Sequence, residues 1–169
     1  MNNIYLTGFM SSGKTVVSGV LAKITGRELL DTDEITEKRL NMKITDIFEQ
    51  FGEEYFRDEE TKTLIEVSAH TNAIISTGGG MVLRAENRKI MKNTGVVVAL
   101  LPDFSVIESR LSVARSTRPL LMEKTEKIRK RFNDRLPLYK DCHISVIPES
   151  TPETTAEKIL NLIEKEGQK

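Results

Sequence analysis

Short apolar runs alternate along this chain with longer stretches in which apolar residues recur every three or four positions. Asn3 to Thr7 reads as a strand, followed by a glycine turn and a helix that sets Val16, Val17, Val20, Leu21 and Ile24 on one side. Glu28 to Asp31 is a second short strand. Ile44, Ile47, Phe48 and Phe51 then recur at helical spacing, and a further helix is expected from Glu53 to Ala69. Ala73 to Thr77 is a third strand, ended by Gly78, Gly79 and Gly80. The unbroken apolar run Gly95 to Leu101 suits a strand covered on both faces. Ser105 to Val113 and Thr125 to Asn133 read as helices joined by an arginine-rich polar link. His143 to Ile147 is a fifth strand, and Pro152 to Glu166 closes the pattern as an amphipathic helix. Strands alternating with helices predict one α/β domain over residues 1–169, a three-layer α/β/α sandwich on a five-stranded parallel sheet. In such folds ligands bind beyond the carboxyl ends of the strands, and the motifs fall there.

The first motif, TGFMSSGKT at 7–15, joins the first strand to the first helix. Gly8, four residues, Gly13, Lys14 and Thr15 have the spacing of a phosphate-binding loop in the context that such a loop requires. Backbone N–H groups at a helix start favour the β-phosphate, Lys14 reaches the β- and γ-phosphates, and the Thr15 hydroxyl can ligate Mg2+. The motif names a nucleotide and says nothing about an acceptor.

The acceptor has to be sought in three further clusters. In LLDTD, Asp31 can hold a metal-bound water and Asp33 can take a proton from a hydroxyl; equally, Thr32 or Asp33 can cap the helix that begins EITEKRL. In FRDEE, Arg57 and Glu60 stand three apart, which on a helix means a surface ion pair or an arginine fork held for a ligand carboxylate. Phe48 and Phe56 read as core on spacing alone. The run Thr77-Gly78-Gly79-Gly80 exceeds what a plain turn needs and leans towards close approach of a ligand. Arg110, Arg115 and Arg118 lie between two helices, and Arg135 lies in DRLPLY. Asp103 imitates a magnesium-binding acid, but the following helix makes it a cap.

Charge and cysteine content narrow the class. The 169 residues carry 25 Lys plus Arg and 25 Asp plus Glu, and this zero balance argues against a nucleic-acid binder. The single Cys142 cannot close an intramolecular disulfide, which points to a reducing cytosol. The N-terminal MNNIYLTG has no signal-peptide pattern, and VVVALL at 96–101 is too short to span a bilayer. A soluble cytoplasmic protein is expected.

TGFMSSGKT, LLDTDEI, IFEQFGEEYFRDEE, ISTGGG, RPLL and DRLPLY occur in the order and approximate spacing of shikimate kinases, which the chain resembles from residue 4 to about 155. That resemblance implies a P-loop kinase fold with a substrate-binding segment near 32–60 and a lid near 109–124. It implies transfer of a phosphoryl group from ATP, with Mg2+, to the 3-hydroxyl of shikimate on the route to chorismate, by a cytoplasmic monomer. Carried over, Gly8, Ser11, Ser12, Gly13, Lys14 and Thr15 would bind ATP phosphates, Thr15 and Asp31 the metal, and Arg110 and Pro152 the remaining nucleotide. Asp33 would serve as base or orienting group, and Arg118 in the lid would reach the phosphates. Arg57 and Arg135 would clamp the carboxylate, with Glu60 supporting Arg57. Gly79 and Gly80 would lie against the ring, with Phe48 and Phe56 walling it. The stretch between Arg110 and Arg118 departs from the family in lacking glycine, Phe9 and two serines stand where smaller residues are common, and Arg115 has no family counterpart.

Gluconate or nucleoside monophosphate kinases are the nearest alternatives. A nucleotide-dependent binding protein without transfer activity would be expected to lack the lysine, the aspartate or the lid arginine, and all are present. No N-K-x-D segment exists to read guanine.

Overall fold

A computed structural model describes residues 2–117 and 125–166. Five strands form one parallel sheet in the order β2-β3-β1-β4-β5. They are β1 (Asn3–Gly8), β2 (Leu29–Asp31), β3 (Ile74–Ser76), β4 (Gly95–Leu100) and β5 (Ile144–Val146). All five fall inside the segments that the apolar runs predict or extend them by one residue; the inner strands β1, β3 and β4 are covered on both faces, whereas the edge strands β2 and β5 are partly open. β1 is central, pairing with β3 on one side and β4 on the other, with Tyr5 opposite Ile75 and Val97.

The two faces of β1 alternate as strand geometry demands. Ile4 and Leu6 face α1 (Lys14–Thr25) and α7 (Pro152–Glu166), packing with Val17, Leu21, Val98 and Ile159. Tyr5 faces the opposite layer of α3 (Ile44–Ser68), α4 (Ala85–Thr94), α5 (Phe104–Thr117) and α6 (Thr125–Lys140), packing with Leu64, Met91, Ile107 and Phe132. The short helix α2 (Thr32–Leu40) leans on α3 through a buried hydroxyl pair, Thr36 to Thr63. Among the described residues, no helix is long and apolar enough to cross a membrane.

Four departures from the predicted elements have physical causes. Val16 and Ile24 are exposed, Val16 because it borders the cleft at the start of α1. The two helical stretches at 44–51 and 53–69 form one element, broken only at Gly52, whose φ of 82° favours glycine. α4 escapes periodicity because AENRKIMKNT buries only Asn87 and Met91. α6 continues past Asn133 through Pro137, since Leu136, Leu138 and Tyr139 still pack against the core; the helix accepts the lost N–H in exchange.

Candidate active site

The carboxyl ends of β1, β2 and β3 open onto a cleft with two chambers, and the loop after β1 builds the first. Gly8 has φ 151°, Ser11 59° and Gly13 99°, so the loop curls with its amides inward before α1 begins at Lys14. A Cβ on Gly8 would stand 2.7 Å from the Leu100 carbonyl oxygen, which restricts the position to glycine. Serine at 11 adopts the left-handed region, so the loop does not need a glycine there to close. Among the described residues no side chain caps α1, and its first turn holds no acid. Its terminal N–H groups therefore remain available to an anion. Lys14 folds back over the loop, its ammonium donating to the carbonyls of Gly8 (2.8 Å) and Phe9 (3.0 Å). Desolvation beneath the loop draws the Lys14 pKa down to about 8, against the attraction of Asp33 and Asp31. The Ser12 hydroxyl is buried with no partner among the described residues.

This chamber, of about 500 Å3, is lined by residues 11–15, Arg110 and the β5–α7 connection from Pro148 to Pro152. Arg110 crosses from α5 to donate to the Ser11 carbonyl at 2.9 Å. Pro152 sits at the first turn of α7, where its fixed φ suits a helix start. Both expected nucleotide-side residues are thus at the cleft. Arg118 and the RPLL segment lie outside the described residues, as does the side chain of Arg115.

The second chamber, about 370 Å3, draws its walls from five parts of the chain: Met10, Asp33, the α3 residues Phe48, Glu53, Phe56, Arg57 and Glu60, the three glycines, and Arg131 and Arg135 of α6. The cap of α2 is neither Thr32 nor Asp33 but Asp31, whose Oδ1 accepts from the amides of Asp33 (3.0 Å) and Glu34 (3.3 Å). Thr32 instead accepts from the Gly78 amide at 3.0 Å, tying α2 to the glycine turn. Capping and site geometry coincide here, because the cap fixes the turn that aims Asp33 into the chamber. Burial, reinforced by the nearby Asp31 and Glu60 carboxylates, pushes the Asp33 pKa up to about 6, while Lys14 and Arg57 pull the other way.

Arg57 and Glu60 do pair, at 2.8 Å, but not on the surface: they are 9% and 1% exposed. The Arg57 guanidinium lies over the rings of Phe56 (5.2 Å) and Phe48 (5.9 Å), which pack together with centroids 4.8 Å apart. Phe56 is thus core and chamber wall at once. Burial works against the Arg57 charge, but Glu60 and Glu53 outweigh it and hold its pKa above the usual range. Burial raises Glu60, against Arg57, Arg135 and Arg84, and its Oε1 has no partner among the described residues.

The glycine run has a more crowded role than its motif suggests. A Cβ on Gly80 would collide with the Arg57 guanidinium, and one on Gly78 would strike the Asp33 carboxylate and stand 2.8 Å from Glu60 Oε1. Gly79 has room, with Met10 N the nearest atom at 3.6 Å, and its carbonyl accepts from the Tyr139 hydroxyl at 2.6 Å and from Arg135 at 3.5 Å. Burial pushes that hydroxyl up to about 12, so Tyr139 is a permanent donor.

Sequence reading missed Glu53 and Tyr139. Each stands four residues from a predicted site arginine on the same helix, so the spacing was there to be read.

Comparison with known proteins bears on the family and the fold. Residues 10–164 match the family model described as shikimate kinase. The chain is 43% identical to the shikimate kinase of Caldicellulosiruptor bescii, covering 96% of this chain and 95% of that protein. It is 40% identical to that of Thermodesulfovibrio yellowstonii, covering 98% and 96%. A shikimate kinase from Acinetobacter baumannii, solved in complex with shikimate, superposes with a TM-score of 0.91 at 36% identity, covering 100% of this chain and 96% of that one.

Proposed function

The chain belongs to the shikimate kinase family, and we propose that it works through the residues gathered at these strand ends. It is a kinase that moves a phosphoryl group to the 3-hydroxyl of shikimate, within the chorismate route to the aromatic amino acids. ATP is the proposed donor. Its phosphates lie along Gly8 to Thr15 with Lys14 at the β- and γ-groups, while Arg110 and Pro152 flank the adenosine and Arg118 reaches the phosphates from the lid. Shikimate fills the second chamber, its carboxylate towards Arg57 and Arg135, its ring between Gly79, Gly80, Phe48 and Phe56, and its hydroxyls towards Asp33.

One observation carries this assignment: Asp33 lines the second chamber together with Arg57 and with Met10 of the phosphate loop, so the two chambers meet beside it. It therefore stands where donor and acceptor meet. The hydroxyl oxygen bonds to the γ-phosphorus, the bond to the β–γ bridging oxygen breaks, ADP leaves, and the hydroxyl proton passes to Asp33. With a pKa of about 6, Asp33 is ionised at neutral pH yet close enough to it to receive that proton. Lys14 supplies fixed positive charge as negative charge shifts to the leaving group.

The metal site fits Mg2+ in chemistry. Thr15 offers a hydroxyl and Asp31 a second carboxylate oxygen beyond the one used in capping, both hard oxygen donors. Among the described residues, no cluster of three acids, histidines or cysteines would hold a metal unaided, which suits an ion carried mainly by phosphates and water. Bound there, Mg2+ would neutralise charge on the transferring phosphate.

The protein is proposed to act as a cytoplasmic monomer, without nucleic-acid or membrane partners. ADP release by the purified protein, with ATP and Mg2+, tests the acceptor. Stimulation by shikimate, and not by gluconate or nucleoside monophosphates, is the expected result, and phosphorus NMR then locates the 3-phosphate. Stimulation by another acceptor overturns the substrate assignment.

A further inference from the structure

Arg57 has three nitrogens, and the structure commits each to a carboxylate of its own helix. Nη1 donates to Glu60 Oε2 at 2.8 Å. Nε and Nη2 both donate to Glu53 Oε1, at 3.2 and 3.0 Å. The two carboxylates stand four residues before and three after Arg57, on one helical face. They are not equivalent in burial: the side chain of Glu60 is 2% exposed and that of Glu53 59%. Glu60 is locked in the interior, whereas Glu53 stands at the chamber's margin and lines it. Gly52 interrupts the helix immediately before it, so Glu53 opens a new helical segment.

A carboxylate grips a guanidinium best through two parallel N–H groups on one edge. With Nη1 turned to Glu60, that edge is Nε and Nη2, and Glu53 is on it. We propose that Glu53 is an internal carboxylate competitor, holding the arginine edge that the acceptor's carboxylate takes and yielding it on binding. This rests on the assignment of Arg57 as the acceptor's carboxylate group. Glu60 stays on Nη1 throughout, and the exchange keeps the Nε–Nη2 edge of the buried guanidinium occupied by a carboxylate at every stage, so that no buried donor is left without an acceptor. An acceptor carboxylate is therefore weighed against an equivalent group in place of water. The phosphorylated product carries the same carboxylate, so the return of Glu53 also favours its departure. Glu53 is on this account a positioning residue, acting through Arg57.

The test compares binding of two ligands by calorimetry: shikimate, and its analogue with the carboxylate replaced by a primary alcohol. Wild type, Glu53→Ala and Arg57→Ala are measured with both. Removing the competitor should tighten shikimate about two- to fivefold, the range of an exposed ion pair. The alcohol should bind Glu53→Ala as it binds wild type. Glu53→Gln should fall between for shikimate. If Glu53→Ala binds shikimate no better than wild type while Arg57→Ala binds it poorly, Glu53 merely braces the arginine and the proposal fails. Equal tightening of both ligands by Glu53→Ala overturns it as well, since that reports a wider chamber and no contest for an edge. If Arg57→Ala binds shikimate normally, the carboxylate-clamp assignment fails first and takes this proposal with it.

Discussion

The chamber proposed for the nucleotide is built mainly from backbone, whereas the one proposed for the acceptor is built from side chains brought together from distant stretches. In the first, carbonyls of Gly8 and Phe9 hold Lys14, and the uncapped start of α1 offers its amides, all within nine consecutive residues. In the second, Asp33, Arg57 and Arg135 come from three helices, and each is held by a neighbour of its own: Asp31, Glu60 and the Gly79 carbonyl. A backbone site asks for permissive residues at fixed spacing and serves any ligand with phosphates. A side-chain site can be specific, but it must settle desolvation and charge residue by residue, which is why the raised carboxylates cluster on that side.

Substitutions that damage one chamber and spare the other sharpen this contrast. The largest effect is expected on the acceptor side: Asp33→Asn should reduce turnover about a hundred- to ten-thousandfold by removing the proton acceptor, with ATP binding retained. In the parent enzyme the same group is expected to set an acidic limb. Activity needs Asp33 ionised, so the rate should fall as pH drops through about 6, and a pH profile flat from 8 to 5 would falsify the assignment. On the nucleotide side, Lys14→Ala should slow turnover about a hundred- to a thousandfold, whichever acceptor is offered, leaving shikimate affinity within error by calorimetry. Arg57→Ala should weaken shikimate about ten- to a hundredfold, the scale of lost charge-assisted hydrogen bonds, while the Michaelis constant for ATP stays put.

The smallest effect is one of stability and runs opposite to activity. The folded pKa of Asp33 lies above the unfolded value of 3.8, so ionisation opposes folding. Its contribution is intact below about 4 and is lost as pH rises to about 6. At neutral pH Asp33→Asn should melt a few degrees higher than the parent, and a lower melting temperature would show that the charge is matched by Lys14 and Arg57 after all.

The fold was legible because its strands are short apolar runs between turn residues, and such runs do not depend on distant partners. The phosphate loop was legible for the same reason, its meaning being local. Glu60 could be placed beside Arg57 from a three-residue spacing, but spacing alone gave a surface pair; its burial depends on α3 lying under the glycine turn, a tertiary fact. The α2 cap fell to Asp31 in place of Thr32 or Asp33 for a like reason. Which oxygen caps α2 is decided by the Gly78 amide, 46 residues away. Tyr139 was hidden by Pro137, which argues for a helix end wherever packing does not override it.

The bare turn at 78–80 binds this site to its own past. Two of its glycines are dictated by Arg57 and Asp33, which press against them, and only the middle position has space for a methyl group. A descendant could exchange Phe48 or Arg135 and accept a different hydroxy acid. As long as it kept that arginine and that aspartate, it would inherit the same two glycines. Those positions are therefore entrenched by neighbours within the protein, and their retention in a lineage would report the survival of the two charged groups rather than the identity of the molecule bound.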